Sequence, residues 1–181
     1  MKQVQFAYQD REPFVERLHA FQKNNAGCGG ARLFQIYSEV LEPTVIQEVT
    51  GAIEECFPDV PYIGCSTSGN IIDCELSENI TVVCTDFELP TTKFEIFQYD
   101  MAKLSVDEIT SRIVEETRKN SWVKAVEMYF TIPEGSTTRF CDGLRELRED
   151  IQIFGGVSCS DDITSDDSCV FTKAYGFSES S

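Results

Sequence analysis

Tyr62-Ile63-Gly64-Cys65-Ser66-Thr67-Ser68-Gly69-Asn70-Ile71-Ile72 opens as a short apolar run and turns, between two glycines, into small hydroxyl-bearing residues. A strand with Gly and Ser/Thr at its carboxyl end is where open α/β sheets place ligands. Glycine lets backbone approach a ligand, and backbone N–H groups with Ser/Thr hydroxyls hold an anion without a formal charge. Gly64, Cys65, Ser66, Thr67, Ser68 and Gly69 therefore form one side of a candidate ligand site. The competing reading is that Gly64 and Gly69 only serve tight turns.

The flanking sequence places this stretch in an α/β fold. Upstream, Pro43 starts a helix whose stripe is Val45, Ile46, Val49, Ala52, Ile53, Cys56 and Phe57, and Pro58 closes it. Before it, residues 32–38 alternate as a strand, and residues 10–25 read as a helix lined by Phe14, Leu18 and Phe21. Strand, helix and strand (32–38, 43–57, 60–65) predict a parallel pair with a right-handed crossover. Downstream, residues 66–78 read as a polar loop and 79–87 as a strand. Residues 93–99 alternate and predict a strand paired antiparallel. Ser105-Val106-Asp107-Glu108 is a capping box for a third helix. A strand at 123–131, a helix at 137–150, a strand at 151–157, an acidic serine-rich loop and a last strand at 168–175 follow.

The order repeats. Phe34-Gln35-Ile36-Tyr37-Ser38 answers Val126-Glu127-Met128-Tyr129-Phe130, and Tyr62-Ile63-Gly64-Cys65-Ser66 answers Ile153-Phe154-Gly155-Gly156-Val157. The fold class expected is α/β: a mixed parallel and antiparallel sheet with flanking helices, in two similar pseudo-twofold halves, about 1–100 and 101–181. The second half lacks a partner for the strand at 93–99, so 168–175 is expected to be an open edge. A symmetric dimer through that edge is expected, as is a chain cut from a longer multidomain protein.

Composition narrows the function. The 181 residues are 41% hydrophobic, a globular composition, and carry a net charge of −16 from 31 acidic and 15 basic residues. That surface repels phosphate backbones and anionic headgroups, which argues against nucleic acid and membrane partners. The start of the chain lacks the apolar core of a signal peptide, so a cytoplasmic location is expected. The eight cysteines then read as thiols, and with no Cys-x-x-Cys pair and a single histidine no metal site is expected.

With these motifs in view, Tyr62-Ile63-Gly64-Cys65-Ser66-Thr67-Ser68-Gly69-Asn70-Ile71 resembles the signature of the FIST N-terminal domain. Ile151-Gln152-Ile153-Phe154-Gly155-Gly156-Val157-Ser158-Cys159-Ser160-Asp161-Asp162 resembles its second glycine motif, departing from it at Ser158-Cys159-Ser160. The resemblance implies a sensor domain for small molecules such as amino acids. It implies a FIST C-terminal domain and an output domain in the same chain, in bacteria a diguanylate cyclase, histidine kinase or chemoreceptor. Some relatives bind haem, so a haem or nitric oxide sensor is an alternative; no cofactor is expected here.

Two loops then leave corresponding strand ends, 64–70 and 155–162. Backbone N–H groups and the Ser66, Thr67 and Ser68 hydroxyls suit a carboxylate; Gly155 and Gly156 line the second loop, and Asp161 and Asp162 suit an ammonium. For Asp161, Asp162, Asp166 and Asp167 a solvated acidic turn is the competing and favoured reading. Catalysis is not expected. The spacing after Ser66 misses the nucleophile-elbow pattern, and His19 sits among Glu12, Glu16 and Lys23 on a polar helix face. Cys65 reads as a small buried thiol. Haem ligation would need His19, a Cys or a Tyr in an apolar pocket. A protein-interaction module working through an exposed strand edge is the remaining alternative.

Overall fold

The computed structural model describes residues 1–25, 30–77, 80–131, 137–160 and 168–179. Its frame is a six-stranded sheet in the order β1-β6-β2-β3-β9-β10. The centre is the expected pair, β2 (Arg32–Ser38) parallel to β3 (Tyr62–Ser66), with Phe34 opposite Tyr62 and Ser38 opposite Ser66. The crossover is α2 (Pro43–Cys56), which has proline in its first turn, where no helical N–H is lost. β6 (Ile80–Asp86) lies antiparallel to β2.

Period-2 alternation puts Phe34 and Ile36 of β2 and Val82 and Cys84 of β6 on one face. There α1 (Arg11–Asn24) and α2 bury them against Phe14, Leu18, Ile46, Val49 and Ile53. The opposite face carries Gln35, Tyr37, Thr81 and Thr85. Between the two central antiparallel strands, Arg32 Nε donates to Asp86 Oδ2 at 3.0 Å.

A second layer holds α3 (Val106–Lys119), β7 (Ala125–Phe130), α4 (Thr137–Leu144) and β8 (Gln152–Val157). β7 and β8 are parallel, with Val126 opposite Ile153 and Met128 opposite Gly155. Val106, Ile109, Phe140 and Leu144 form a separate buried cluster, joined by Met128 and Phe130 of β7. The capping box is present: Ser105 Oγ accepts from the Glu108 N–H, and Glu108 Oε2 accepts from the Ser105 N–H. Ser105→Ala is expected to cost about 1 kcal/mol, read in a urea melt.

The structure corrects several expectations. β1 (Lys2–Tyr8) is a strand beyond those expected, in which Val4, Phe6 and Tyr8 alternate with Gln3, Gln5 and the small Ala7. β1 fills the outer edge of β6, with Phe6 opposite Val82. Both edges of β6 are thus occupied, so the following segment has no ladder to join and residues 93–99 form no strand. They keep their alternation, with Phe94, Ile96 and Gln98 half-buried and Gln98 accepting from Thr172 Oγ1 at 2.8 Å. The polar loop contains a hairpin, β4 (Asn70–Ile72) with β5 (Glu75–Ser77). Its turn residues Asp73 and Cys74 have φ of 53° and 67°, as tight hairpin turns require.

The last predicted strand is not an edge either. β9 (Cys169–Thr172) lies between β3 and β10 (Gly176–Glu179), so it extends the first layer's sheet. The argument from a missing partner strand therefore does not hold. α4 also ends at Leu144 rather than 150. Beyond it the Arg148 guanidinium reaches back to carbonyls at the end of α3 and just after it, bonding Thr117 O and, at 2.7 Å, Val123 O. Among the described residues no helix is long and apolar enough to cross a membrane.

Candidate functional site

At the carboxyl ends of the two parallel pairs the ladders continue one residue further. Thr67 N–H donates to Ser38 O at 2.9 Å, and Ser158 N–H donates to Phe130 O at 2.8 Å. The two extensions meet each other. Ser66 Oγ and Ser158 Oγ are 2.7 Å apart, and Cys159 N–H donates to Ser66 O at 3.3 Å. Ser158 Oγ donates to Cys169 O at 2.7 Å, which uses its only proton. Ser66 must then donate to Ser158 while accepting from Cys169 N–H at 3.1 Å.

Both serines are almost fully buried, at 1% and 3% exposure. They form a clasp that joins β3, β8 and β9, and neither hydroxyl faces solvent. Ser66→Ala would remove the acceptor of the Cys169 N–H and the donor to Ser158 Oγ, at a cost of about 2 kcal/mol in stability.

The remaining predicted residues divide into rim and framework. Thr67, Ser68, Gly69 and Cys159 surround the clasp at the surface. Thr67 Oγ1 accepts from Gly69 N–H at 3.3 Å, and Cys159 Sγ lies 3.6 Å from Ser68 Oγ. Gly156 has open space where a side chain would stand. Gly64 and Gly155 are framework. A Cβ on Gly64 would lie 2.2 Å from the Phe171 ring, so this glycine makes room for an aromatic core residue. Gly155 has φ of 128°, and a Cβ there would lie 1.9 Å from Met128 O. Cys65 is buried beside the clasp, and burial, with Cys169 and Cys159 nearby, pushes its thiol up to about 12. It is therefore a neutral thiol at physiological pH. Asp161, Asp162, Asp166 and Asp167 lie outside the described residues.

His19 is exposed on α1, with Nε2 3.8 Å from Cys56 Sγ. That thiol is raised by burial, with the neighbouring Glu55 adding to the shift. Among the described residues no cluster of His, Cys, Asp and Glu is arranged to hold a metal ion. The sheet also has pockets at the opposite, amino end of β2 and β3. One of about 330 Å³ is lined by Arg32, Asp59, Pro61 and Phe94, and one of about 210 Å³ by Pro61, Ile96, Thr172 and Ala174.

Sequence reasoning missed the polar contacts below the clasp. Gln35 Nε2 donates to Glu127 Oε1 at 2.8 Å, and the Tyr37 and Tyr129 hydroxyls are 2.6 Å apart. Burial raises both phenols above their ordinary range, and the Glu127 carboxylate pushes Tyr129 further. Each pair, like Ser66 and Ser158, joins residues 92 positions apart. Part of the signal was present: Gln35 and Glu127, and Tyr37 and Tyr129, are matched positions of the repeated strand motif, read as similarity and not as contact, whereas that motif set Ser66 against Val157, one residue short of Ser158.

The family model of the FIST N domain matches residues 32–180, from the start of β2 to the end of β10. Comparison with curated proteins and with solved structures gave no match. The match spans both glycine motifs and the strands that carry them. FIST N domains are sensor domains of signal-transduction proteins, and this chain belongs to that family.

Proposed function

We propose that the chain is a sensor domain that binds a small, amino-acid-like molecule at the rim of the serine clasp, between residues 64–70 and 155–162. One observation carries this reading: Ser66 and Ser158 bring the ends of β3 and β8 to a single place. Around it stand the Thr67 and Ser68 hydroxyls, the Gly69 and Gly156 backbone and Cys159. The Thr67 and Ser68 hydroxyls at the first loop suit a carboxylate, and Asp161 and Asp162 would suit the ammonium of the same ligand. Ser66 acts by holding the loop in place; the ligand bonds come from its exposed neighbours.

Occupancy would regulate a FIST C-terminal and output domain of the same chain, in a cytoplasmic bacterial protein. The net charge of −16 supports a role without nucleic acid or membrane partners. No cofactor and no reaction are assigned, because the raised Cys65 thiol and the surface position of His19 offer neither nucleophile nor base. A second reading, an interaction module or homodimer through a strand edge, is favoured by one feature. β1 and β10 are the outer strands of the sheet among the described residues, and outer strands recruit partners by strand addition.

A thermal-shift screen over the amino acids tests the proposal. A ligand at 100 times its dissociation constant adds about 2.7 kcal/mol of stability. Thr67→Ala and Ser68→Ala should each weaken the hit about five- to tenfold, as loss of a bond worth about 1 kcal/mol predicts. His19→Gln should leave it unchanged. A hit that survives both loop variants and is lost with His19→Gln would refute this site.

A further inference from the structure

We infer that the protein consists of two separately cored units that shift against each other along a polar seam. Using that shift to report an occupied site rests on the ligand-sensing reading; the shift itself does not.

The apolar clusters show the division. One is built from β1, α1, β2, α2, β3, β6 and β9, and the other from α3, β7 and α4. Alternation along the paired strands sends Phe34, Ile36, Val82 and Cys84 to the first core, while the face toward the seam carries Gln35, Tyr37, Thr81 and Thr85 together with the buried apolar Leu33 and Val83. Phe34 and Ile36 face α1 and α2, while Gln35 and Tyr37 face β7. Met128 and Phe130 pack with α3 and α4, while Glu127 and Tyr129 face β2.

The bonds across the seam form one directed chain. Gln35 Nε2 and Tyr129 OH both donate to Glu127 Oε1, at 2.8 and 2.6 Å. With the Tyr129 proton committed, Tyr37 OH is the donor to Tyr129 at 2.6 Å. Behind Gln35, its Oε1 accepts from Thr85 Oγ1 at 2.8 Å, and Thr85 accepts from Gln3 Nε2 at 3.0 Å. The Tyr37 and Tyr129 rings meet edge to face with centroids 5.8 Å apart.

Such bonds can be exchanged for water or for one another at small net cost, whereas interdigitated cores resist sliding. A hydrogen-bonded plane that lies outside both core clusters is therefore where relative motion is expected. Thr81, opposite Tyr37 on the same face, is buried and its hydroxyl has no partner. A displaced seam that brought it an acceptor would relieve that deficit. The link between the units, residues 87–105, holds no helix or strand, and it packs on both, through Gln98 on Thr172 and through Tyr99, Met101 and Leu104 on the second cluster. The serine clasp stands at the upper end of the seam, so whatever binds the clasp rim touches both units.

Two measurements on the full chain, without ligand, test this. In urea, fluorescence of Trp122, the single tryptophan, reports the second unit, and far-ultraviolet circular dichroism reports both. The two transitions should not coincide. In native hydrogen exchange, β7 and β8 amides should exchange at least about tenfold faster than those of β2 and β6. Tyr37→Phe combined with Tyr129→Phe should speed β7 and β8 about tenfold again and leave β2 and β6 within about twofold. Coincident transitions with a single exchange rate in the unaltered protein overturn the inference, whether or not the double variant folds. So does a folded double variant that speeds both units equally or neither. Because no ligand is added, failure here leaves the ligand reading intact, and an empty ligand screen leaves the seam intact.

Discussion

Gly64→Val is expected to unfold the first unit's sheet at its centre. A Cβ at this position would lie 2.2 Å from Phe171 Cζ and 2.4 Å from Cε2. Phe171 is 1% exposed and belongs to the main cluster, with its ring 6.5 Å from Tyr62, so it has nowhere to retreat. Gly64 and Phe171 are also paired across the β3–β9 ladder, which fixes the backbone separation between them. Overpacking by a single methyl typically costs about 1–3 kcal/mol, and valine adds two further carbons. The expected loss is about 2 kcal/mol for Gly64→Ala and about 4 kcal/mol or more for Gly64→Val, read in urea melts. Trimming the partner tests the cause. Gly64→Ala with Phe171→Leu should cost less than the sum of the two single changes, by about 1 kcal/mol or more. Additive costs would mean that Gly64 serves something other than the ring. The contact gives Gly64 a role in core packing, through which its substitution would also disturb the strand that leads to Thr67 and Ser68.

The helices and central strands were legible because local chemistry decides them. Pro43 and the stripe Val45 to Phe57 specify α2, the capping box specifies α3, and the apolar run at residues 60–65 specifies β3. What local chemistry does not decide is which strand takes which edge. Residues 93–99 alternate as well as β1 does, yet β1 holds the ladder to β6 and residues 93–99 do not. Competition for one row of backbone partners decided that, and it depends on residues far apart in the chain. The hairpin at residues 70–77 was hidden because its strands are three residues long and its turn uses Asp73-Cys74 without glycine. The site was half legible. Loop chemistry placed Ser66 at a strand end correctly, but only the contact with Ser158 and Cys169 shows that its hydroxyl is consumed. The repeat matched Gln35 to Glu127 and Tyr37 to Tyr129, which do meet across the strands, but it set Ser66 against Val157 and so missed the clasp by one residue.

Gly155→Ala is expected to break the second unit in the same way by a different force. Gly155 sits opposite Met128 in the β7–β8 ladder with φ of 128°, a backbone region that L residues rarely adopt. Its Cβ would stand 1.9 Å from Met128 O and 2.8 Å from Met128 N and C, all backbone atoms that no rotamer change can move. Relief requires rotating the Gly155 peptide or parting the strands, and either removes ladder bonds. Strained φ costs about 1–3 kcal/mol, and the clash adds a similar amount. The expected loss is therefore about 3 kcal/mol or more. The neighbouring glycine is the control. Gly156 has open space at its Cβ, so Gly156→Ala should change stability by less than about 1 kcal/mol. If the two units are separately cored, Gly155→Ala should lower the Trp122 fluorescence midpoint in urea while β2 and β6 amides keep their protection. Gly64→Val should do the opposite, exposing β2 and β6 first. Equally small losses from Gly155→Ala and Gly156→Ala would show that Met128 O yields, and that β7 and β8 have more freedom than the ladder implies.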